Sequence, residues 1–470
     1  MGNTSITFWN SLPWILGTQF VGYGVAGVSR RYLVKPRVML WPSILPTVAL
    51  LNSFHAKQVQ ETSTKYKMSK FTFFWIVFLS SFCWAWIPSF FAPALGMISI
   101  LCLFTSNRTA RFLGSSSYQE GVGLFALTLD WSVISGRSPI VTPFWAGLNY
   151  FIGSAFWLWL IVPLVHFTNP FGVGGDKGYL VQSNMNWGGS KINISNSSSA
   201  FDPFPNMNDA HIFTNKGAVV KVGYPGLLNA NYSLNQTFYN ENGPFYLTAS
   251  FTVGYLVSFI NIAAVTMHVI LWHGPEIWKQ FRYALDHTDG HADPQANIMR
   301  RYKDVPDLFY YTFLFVFSIV LTLSGEFTAF RMPWWSTVFG ICLGSIYTIP
   351  IGVIQAISGF QMGLNVLTEF LIGLLTPGDT IGVMCFKSLG YNMVIQALDL
   401  LSDLKIGHYL HISPIAMFAA QMIGTFIGAV LNLATALWAE TGLAYQFEHD
   451  RAWNPQSSYG VFTNAGGLPF

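Results

Sequence analysis

Between residues 349 and 411 the chain is apolar enough to sit in a bilayer, yet glycine, proline and a handful of polar groups interrupt it. The run includes Ile349-Pro350-Ile351-Gly352, then Gln355 through Gly359, Gln361, Gly363, Asn365 and Glu369, and later Asp403-Leu404-Lys405-Ile406-Gly407-His408-Tyr409. In lipid every backbone N–H and C=O needs a partner, so a broken helix survives at membrane depth only where it is buried in protein or lines a wet cavity. Carboxylates and amides at that depth are costly and occur mainly along substrate and ion paths. The stretch therefore reads as part of a pathway through a membrane. Composition agrees: 52% hydrophobic and 17% aromatic against 10% charged residues exclude a soluble domain of 470 residues. The net charge of +3 is too small to imply a nucleic-acid partner.

A spanning helix needs about 20 apolar residues. Candidates fall at 8–28, 71–87, 89–105, 144–167, 245–272, 308–325, 333–357, 361–376, 381–400 and 414–439. Two shorter runs, 38–55 and 120–136, hold Pro42 and Pro46 in one and Asp130 in the other, and basic residues flank both. These are expected to be re-entrant or broken segments. The expected fold is all-α: one polytopic membrane domain over 1–470, with about ten transmembrane helices plus the two short segments. Lipid is then an obligatory partner. Cys83, Cys102, Cys342 and Cys385 lie in or beside apolar runs, so they read as small buried hydrophobes rather than disulfide partners or metal ligands. No basic n-region followed by a small-residue cleavage site opens the chain, so no removable signal peptide is expected.

Two signals orient the chain. The polar segment 170–243 carries glycosylation sequons at Asn193, Asn196, Asn231 and Asn235, which makes it an external loop. Segment 273–307 holds Lys279, Arg282, Arg300, Arg301 and Lys303 and reads as a cytoplasmic loop. It is expected to contain an amphipathic helix at 275–285 and a surface turn bearing His287 and His291. Propagating this orientation places Arg30, Arg31, Lys35, Arg37, Lys405, His408 and His411 inside and the tail after Glu440 outside.

No G-x-S-x-G elbow, H-E-x-x-H, P-loop or zinc-spaced cysteine–histidine pattern occurs, so neither an enzyme nor an ATP-driven pump is expected, and no cofactor or metal is implied. Transport would then draw on an ion gradient. The simplest proton carrier is a carboxylate at membrane depth. Glu369 is the first candidate, in an otherwise apolar run and four residues after Asn365, on the same helical face. Asp130 is the second, with a cap or turn role as its plainer reading. Gln355, Gln361 and Asn365 both donate and accept, which suits a peptide backbone stripped of water, although each could equally join two helices. Gly359 and Gly363 fit either close helix packing or an unwound binding segment. Lys387 is expected to pair with Asp399 or Asp403, or to snorkel. Trp84 and Trp86 before Pro88 fit an interfacial aromatic belt.

These residues also carry a resemblance. Gly22-Tyr23-Gly24, Arg30-Arg31-Tyr32-Leu33-Val34, Trp41-Pro42-Ser43, the run Phe82 to Pro88, Gly121-Val122-Gly123, Asp130-Trp131, Phe386-Lys387-Ser388 and Gly390-Tyr391 follow one another as in the oligopeptide transporter (OPT) family of fungi and plants, which the chain resembles over nearly its whole length. The resemblance implies proton-driven import of short peptides or peptide-derived compounds such as glutathione or metal chelates, by alternating access around broken helices, with the plasma membrane as the expected location. Two departures stand out: the family's Asn-Pro-Gly motif is absent, and its KIPPR motif reads His411-Ile412-Ser413-Pro414-Ile415. They raise the alternative of a truncated, transport-incompetent pseudo-transporter or accessory subunit.

Overall fold

The computed structural model describes residues 7–55, 70–96, 98–105, 113–114, 121–131, 140–168, 226–229, 233–285, 298–328, 330 and 332–442, with a few isolated positions besides. In chain order the helices are α1 (Phe8–Leu33), α2 (Leu45–His55), α3 (Lys70–Trp86), α4 (Ile100–Phe104), α5 (Phe144–Thr168), α6 (Gln236–Asn242), α7 (Ala249–His268), α8 (Gly274–Leu285), α9 (Asp307–Phe327), α10 (Trp334–Ser358), α11 (Asn365–Leu375), α12 (Thr380–Leu410) and α13 (Pro414–Gly442). Two-residue ladders interrupt the helical pattern, Ile98–Ser99 with Ala126–Leu127 and Asn186–Trp187 with Ser190–Lys191. Among the described residues, six helices are long and apolar enough to cross a membrane: Phe144–Thr168, Ala249–Lys279, Asp307–Phe327, Trp334–Ser358, Thr380–Leu410 and Pro414–Ala439.

Several expected spans differ from what forms. The run 89–105 is not one helix: a π-turn ends at Phe91, a 3-10 turn covers Pro93–Gly96, and α4 is five residues long. Pro88 and Pro93 remove backbone donors within six residues, which explains the break. The run 361–376 yields only α11, 11 residues and so about 16 Å, half a hydrocarbon core. Conversely, 381–400 becomes the 31-residue α12, which absorbs the stretch read as a cytoplasmic end. Lys405 and His408 are therefore buried helical residues rather than loop residues. The crossing expected to stop at 272 continues through a π-turn, Val269–His273, into the amphipathic α8. Two of the cysteines expected to be buried, Cys83 and Cys342, are exposed.

The chain forms two compact units, one of Met1–Val48, Ala230–Leu234 and Ser258–Phe470, the other of Ala49–Asn229 and Asn235–Val257. In the first, α1 packs along α9 and α12. Glycine permits the approach: a Cβ on Gly27 would lie 2.0 Å from the Tyr310 ring, and one on Gly24 would lie 2.6 Å from the Leu314 side chain. Phe20, Tyr23, Leu33, Trp41, Ile351, Met393, Leu398 and Leu401 belong to the core that results. In the second unit, Val122, Val162, Val165, Ala249 and Val253 form a smaller cluster. There Trp84 donates from Nε1 to the Leu129 carbonyl at 2.9 Å, while a row of stacked rings, the half-buried Phe74 and the exposed Phe78 and Phe82, runs along α3.

Candidate substrate and ion pathway

The site begins where α10 stops. Pro350 lies inside α10, and the helix ends at Gly359, whose φ of +80° is the left-handed conformation that glycine adopts without strain. Ser358 turns its hydroxyl back to the Ile354 carbonyl and accepts the Phe360 N–H at 3.1 Å. Phe360–Leu364 is not helical. Of the two readings of Gly359 and Gly363, unwinding is the one realised at Gly359. Thr368 then steadies the first turn of α11, its hydroxyl donating to the Leu364 and Asn365 carbonyls at 3.1 and 2.8 Å.

The loop after α1 comes up beneath this break. Trp41, left-handed at φ 53° and fully buried, donates from its backbone N–H to the Ala356 carbonyl at 2.7 Å and from Nε1 to the Leu33 carbonyl at 2.9 Å. Pro42 and Ser43 follow as a short 3-10 turn beside Gly359. On α12, Lys405 is 2% exposed and donates from Nζ to the Val34 and Pro36 carbonyls at 2.7 and 3.4 Å, while the Tyr409 hydroxyl donates to the Leu40 carbonyl at 2.9 Å.

α11 is held against α12 by a close contact: a Cβ on Gly390 would lie 2.6 Å from Thr368 Cγ2. Lys387, three residues earlier on α12, thereby meets Glu369. Its Nζ lies 2.9 Å from Glu369 Oε2, with the lysine side chain 4% and the glutamate side chain 25% exposed. Oε2 is close without the alignment of a hydrogen bond, so the contact is ionic. This corrects the expected pairing of Lys387 with Asp399 or Asp403.

Gln355 is buried in the last turn of α10, and its Oε1 receives no hydrogen bond among the described residues. Asn365 is buried at the first position of α11, whereas Gln361 is exposed in the break. Asp130 belongs to the other unit, where its N–H donates to Thr128 Oγ1 at 3.1 Å. Asn235 caps α6: Oδ1 accepts the Phe238 N–H at 3.1 Å, and Nδ2 donates to the Gly226 carbonyl at 3.3 Å. Asn193, Asn196, Asn231 and the His287–His291 turn lie outside the described residues.

Sequence reasoning also missed Arg30. Rather than a loop cation, it is a buried residue in the last turn of α1 that donates to Asp304 at 3.2 Å, Asp307 at 2.6 Å and the Val305 carbonyl at 3.0 Å, with its guanidinium over the Tyr310 ring. A cavity of about 290 Å³ adjoins it, lined also by Lys35, Arg300, Asp304 and His408. The signal was present in Asp304 and Asp307, two carboxylates in a basic stretch.

Comparison with known proteins bears on this arrangement. A family profile described as OPT oligopeptide transporter protein matches residues 1–465. Oligopeptide transporter 4 of Arabidopsis thaliana is 34% identical over 442 residues, covering 92% of this chain and 55% of its own length. Oligopeptide transporter 7 of the same plant is 33% identical, covering 92% and 52%. The sexual differentiation process protein isp4 of Schizosaccharomyces pombe (strain 972 / ATCC 24843) is 33% identical, covering 90% and 50%. The chain thus spans about half the length of the curated relatives it matches. No solved structure matches it. With six apolar helices of spanning length among the described residues and a family match along almost its whole length, this chain is an integral membrane protein belonging to the OPT family of oligopeptide transporters.

Proposed function

We propose that this protein carries short peptides, or peptide-derived compounds such as glutathione or metal chelates, across the plasma membrane by proton-coupled alternating access. The observation that carries the reading is the Lys387–Glu369 pair, with a buried lysine and a partly open glutamate, placed one turn after a broken helix. A buried ion pair is costly to keep and easily perturbed by a proton, so it suits a coupling site better than a structural brace. Gln355, Gln361 and Asn365 supply amides to the substrate backbone, with Asp130 as a second proton site. About ten crossings, an external glycosylated loop at 170–243 and a cytoplasmic loop at 273–307 complete the arrangement. Family membership along residues 1–465 favours this reading over a transport-incompetent or accessory role.

Glu369→Gln keeps the side-chain volume and removes the titrating group. In cells lacking endogenous peptide transporters, the variant is expected to reach the surface and bind substrate, yet to lose accumulation against a gradient and its dependence on external pH. Concentrative uptake with an unchanged pH profile would remove Glu369 from this role and make Asp130 the next residue to test.

A further inference from the structure

We propose that Lys387 is the docking cation for a carboxylate of the transported compound, and that Glu369 yields it to the substrate when Glu369 takes up a proton. The inference rests on the peptide-transport reading above. Lys387 is almost fully enclosed, and Glu369 is its polar partner among the described residues. Glu369 is the more open member of the pair, with a quarter of its side chain exposed, although Oε2, the oxygen facing Lys387, is itself buried. Protonating Glu369 would leave a buried ammonium without a counter-charge, a state that is strongly unfavourable. An incoming carboxylate cancels that charge, so proton and carboxylate each favour the binding of the other, by the same factor in both directions. One proton moves onto the Glu369 carboxylate, one ionic contact is exchanged for another, and no covalent bond changes.

The described surroundings offer no other charge to take this part. α11 carries no further ionisable side chain. On α12 the neighbouring titratable groups are Cys385 and Tyr391, and the carboxylates on either side are distant: Asp379, whose Oδ1 accepts the Gly382 N–H at the helix cap, and Asp399, 12 residues or about 18 Å along the axis. Apolar groups of other elements also pack against α11. Phe259 of α7 lies edge-on to Phe370, and Ile372 shares a cluster with Trp14 of α1, Leu321 of α9 and Phe339 of α10.

The test uses the full chain in proteoliposomes with an imposed pH gradient and matched tripeptides bearing either a free carboxylate or a C-terminal amide. A peptide carboxylate stays ionised between about pH 5 and 7. The wild-type protein is expected to favour the free acid by about tenfold or more in apparent KM, as one charge-assisted contact provides. That preference should grow as external pH falls. Lys387→Gln should reduce it to near unity and Lys387→Arg restore it in part, while Glu369→Gln should keep it and lose its pH dependence. A Lys387→Gln variant that still prefers the free acid overturns the proposal. If that variant fails to reach the membrane, the wild-type data decide: equal pH slopes for acid and amide overturn it too. Proton-driven uptake blind to the carboxylate removes Lys387 alone, whereas no uptake of either peptide removes the transport reading and this inference with it.

Discussion

Lys405 Nζ donates to the Val34 carbonyl at 2.7 Å, joining α12 to the loop after α1 across 371 residues of sequence. A second bond, to the Pro36 carbonyl, and the Tyr409 hydroxyl on Leu40 extend the attachment, so that Trp41 is held under the broken end of α10. Buried carbonyls that lose their donor cost about 1–3 kcal/mol each. Lys405→Met, similar in length but without donors, is therefore expected to lower thermal stability in detergent by about 2 kcal/mol or more. Tyr409→Phe, at an exposed bond, should lose less than about 1 kcal/mol. Equal effects of the two would contradict the assigned roles.

The arginines of the same helix end give an ordering. Asp307 accepts from both Arg30 and Arg31, whereas Asp304 pairs with Arg30 and more loosely with Lys35 at 3.9 Å. Arg30 is buried while both carboxylates are partly open, so water screens part of each loss. Asp307→Asn should destabilise by on the order of 2 kcal/mol and Asp304→Asn by about half that. Chemical denaturation of the two variants side by side checks the order.

Gly27 and Gly147 make a matched pair. A methyl group at Gly27 meets the Tyr310 ring, while at Gly147, in α5, nothing lies within 4 Å. Gly27→Ala is expected to lose about 1–3 kcal/mol through overpacking. Gly147→Ala should be neutral or gain up to about 1 kcal/mol from helix propensity. Melting temperatures of the purified variants separate these outcomes.

Asn235 has two uses to separate, as a sequon and as the cap of α6. Asn235→Asp removes the sequon and keeps the capping acceptor but loses the Nδ2 donor to the Gly226 carbonyl, so it should lose less stability than removal of the whole side chain. Asn235→Ala removes both and should lose about 1 kcal/mol. On protein made in a eukaryotic host, a glycosidase-dependent mobility shift is expected and should disappear when Asn193, Asn196, Asn231 and Asn235 are all replaced. Persistence of the shift would place the glycan elsewhere.

The sequence by itself determined the class of protein and the interrupted stretch, because both follow from local properties. Apolar runs of spanning length announce a membrane protein whatever they pack against. A break around Gly359 is legible for the same reason, since glycine, proline and nearby polar groups mark a backbone that leaves the helix. Length was less legible: α11 stops at Leu375 and α12 runs on to Leu410 because packing, not hydropathy, rewards the residues of its last turns. Pairing was decided by the tertiary structure alone. Lys387 lies 18 positions from Glu369, and the sequence reading offered Asp399 or Asp403, further along the chain, as its partner. The contact of Gly390 with Thr368 brings α11 against α12 and selects Glu369 instead. The partners of Lys405 and Arg30 likewise come from segments hundreds of residues away, which no reading of local charge supplies. A charge count along the chain records that a cation is present, but only the packed helices decide whether water, a carbonyl or a carboxylate surrounds it.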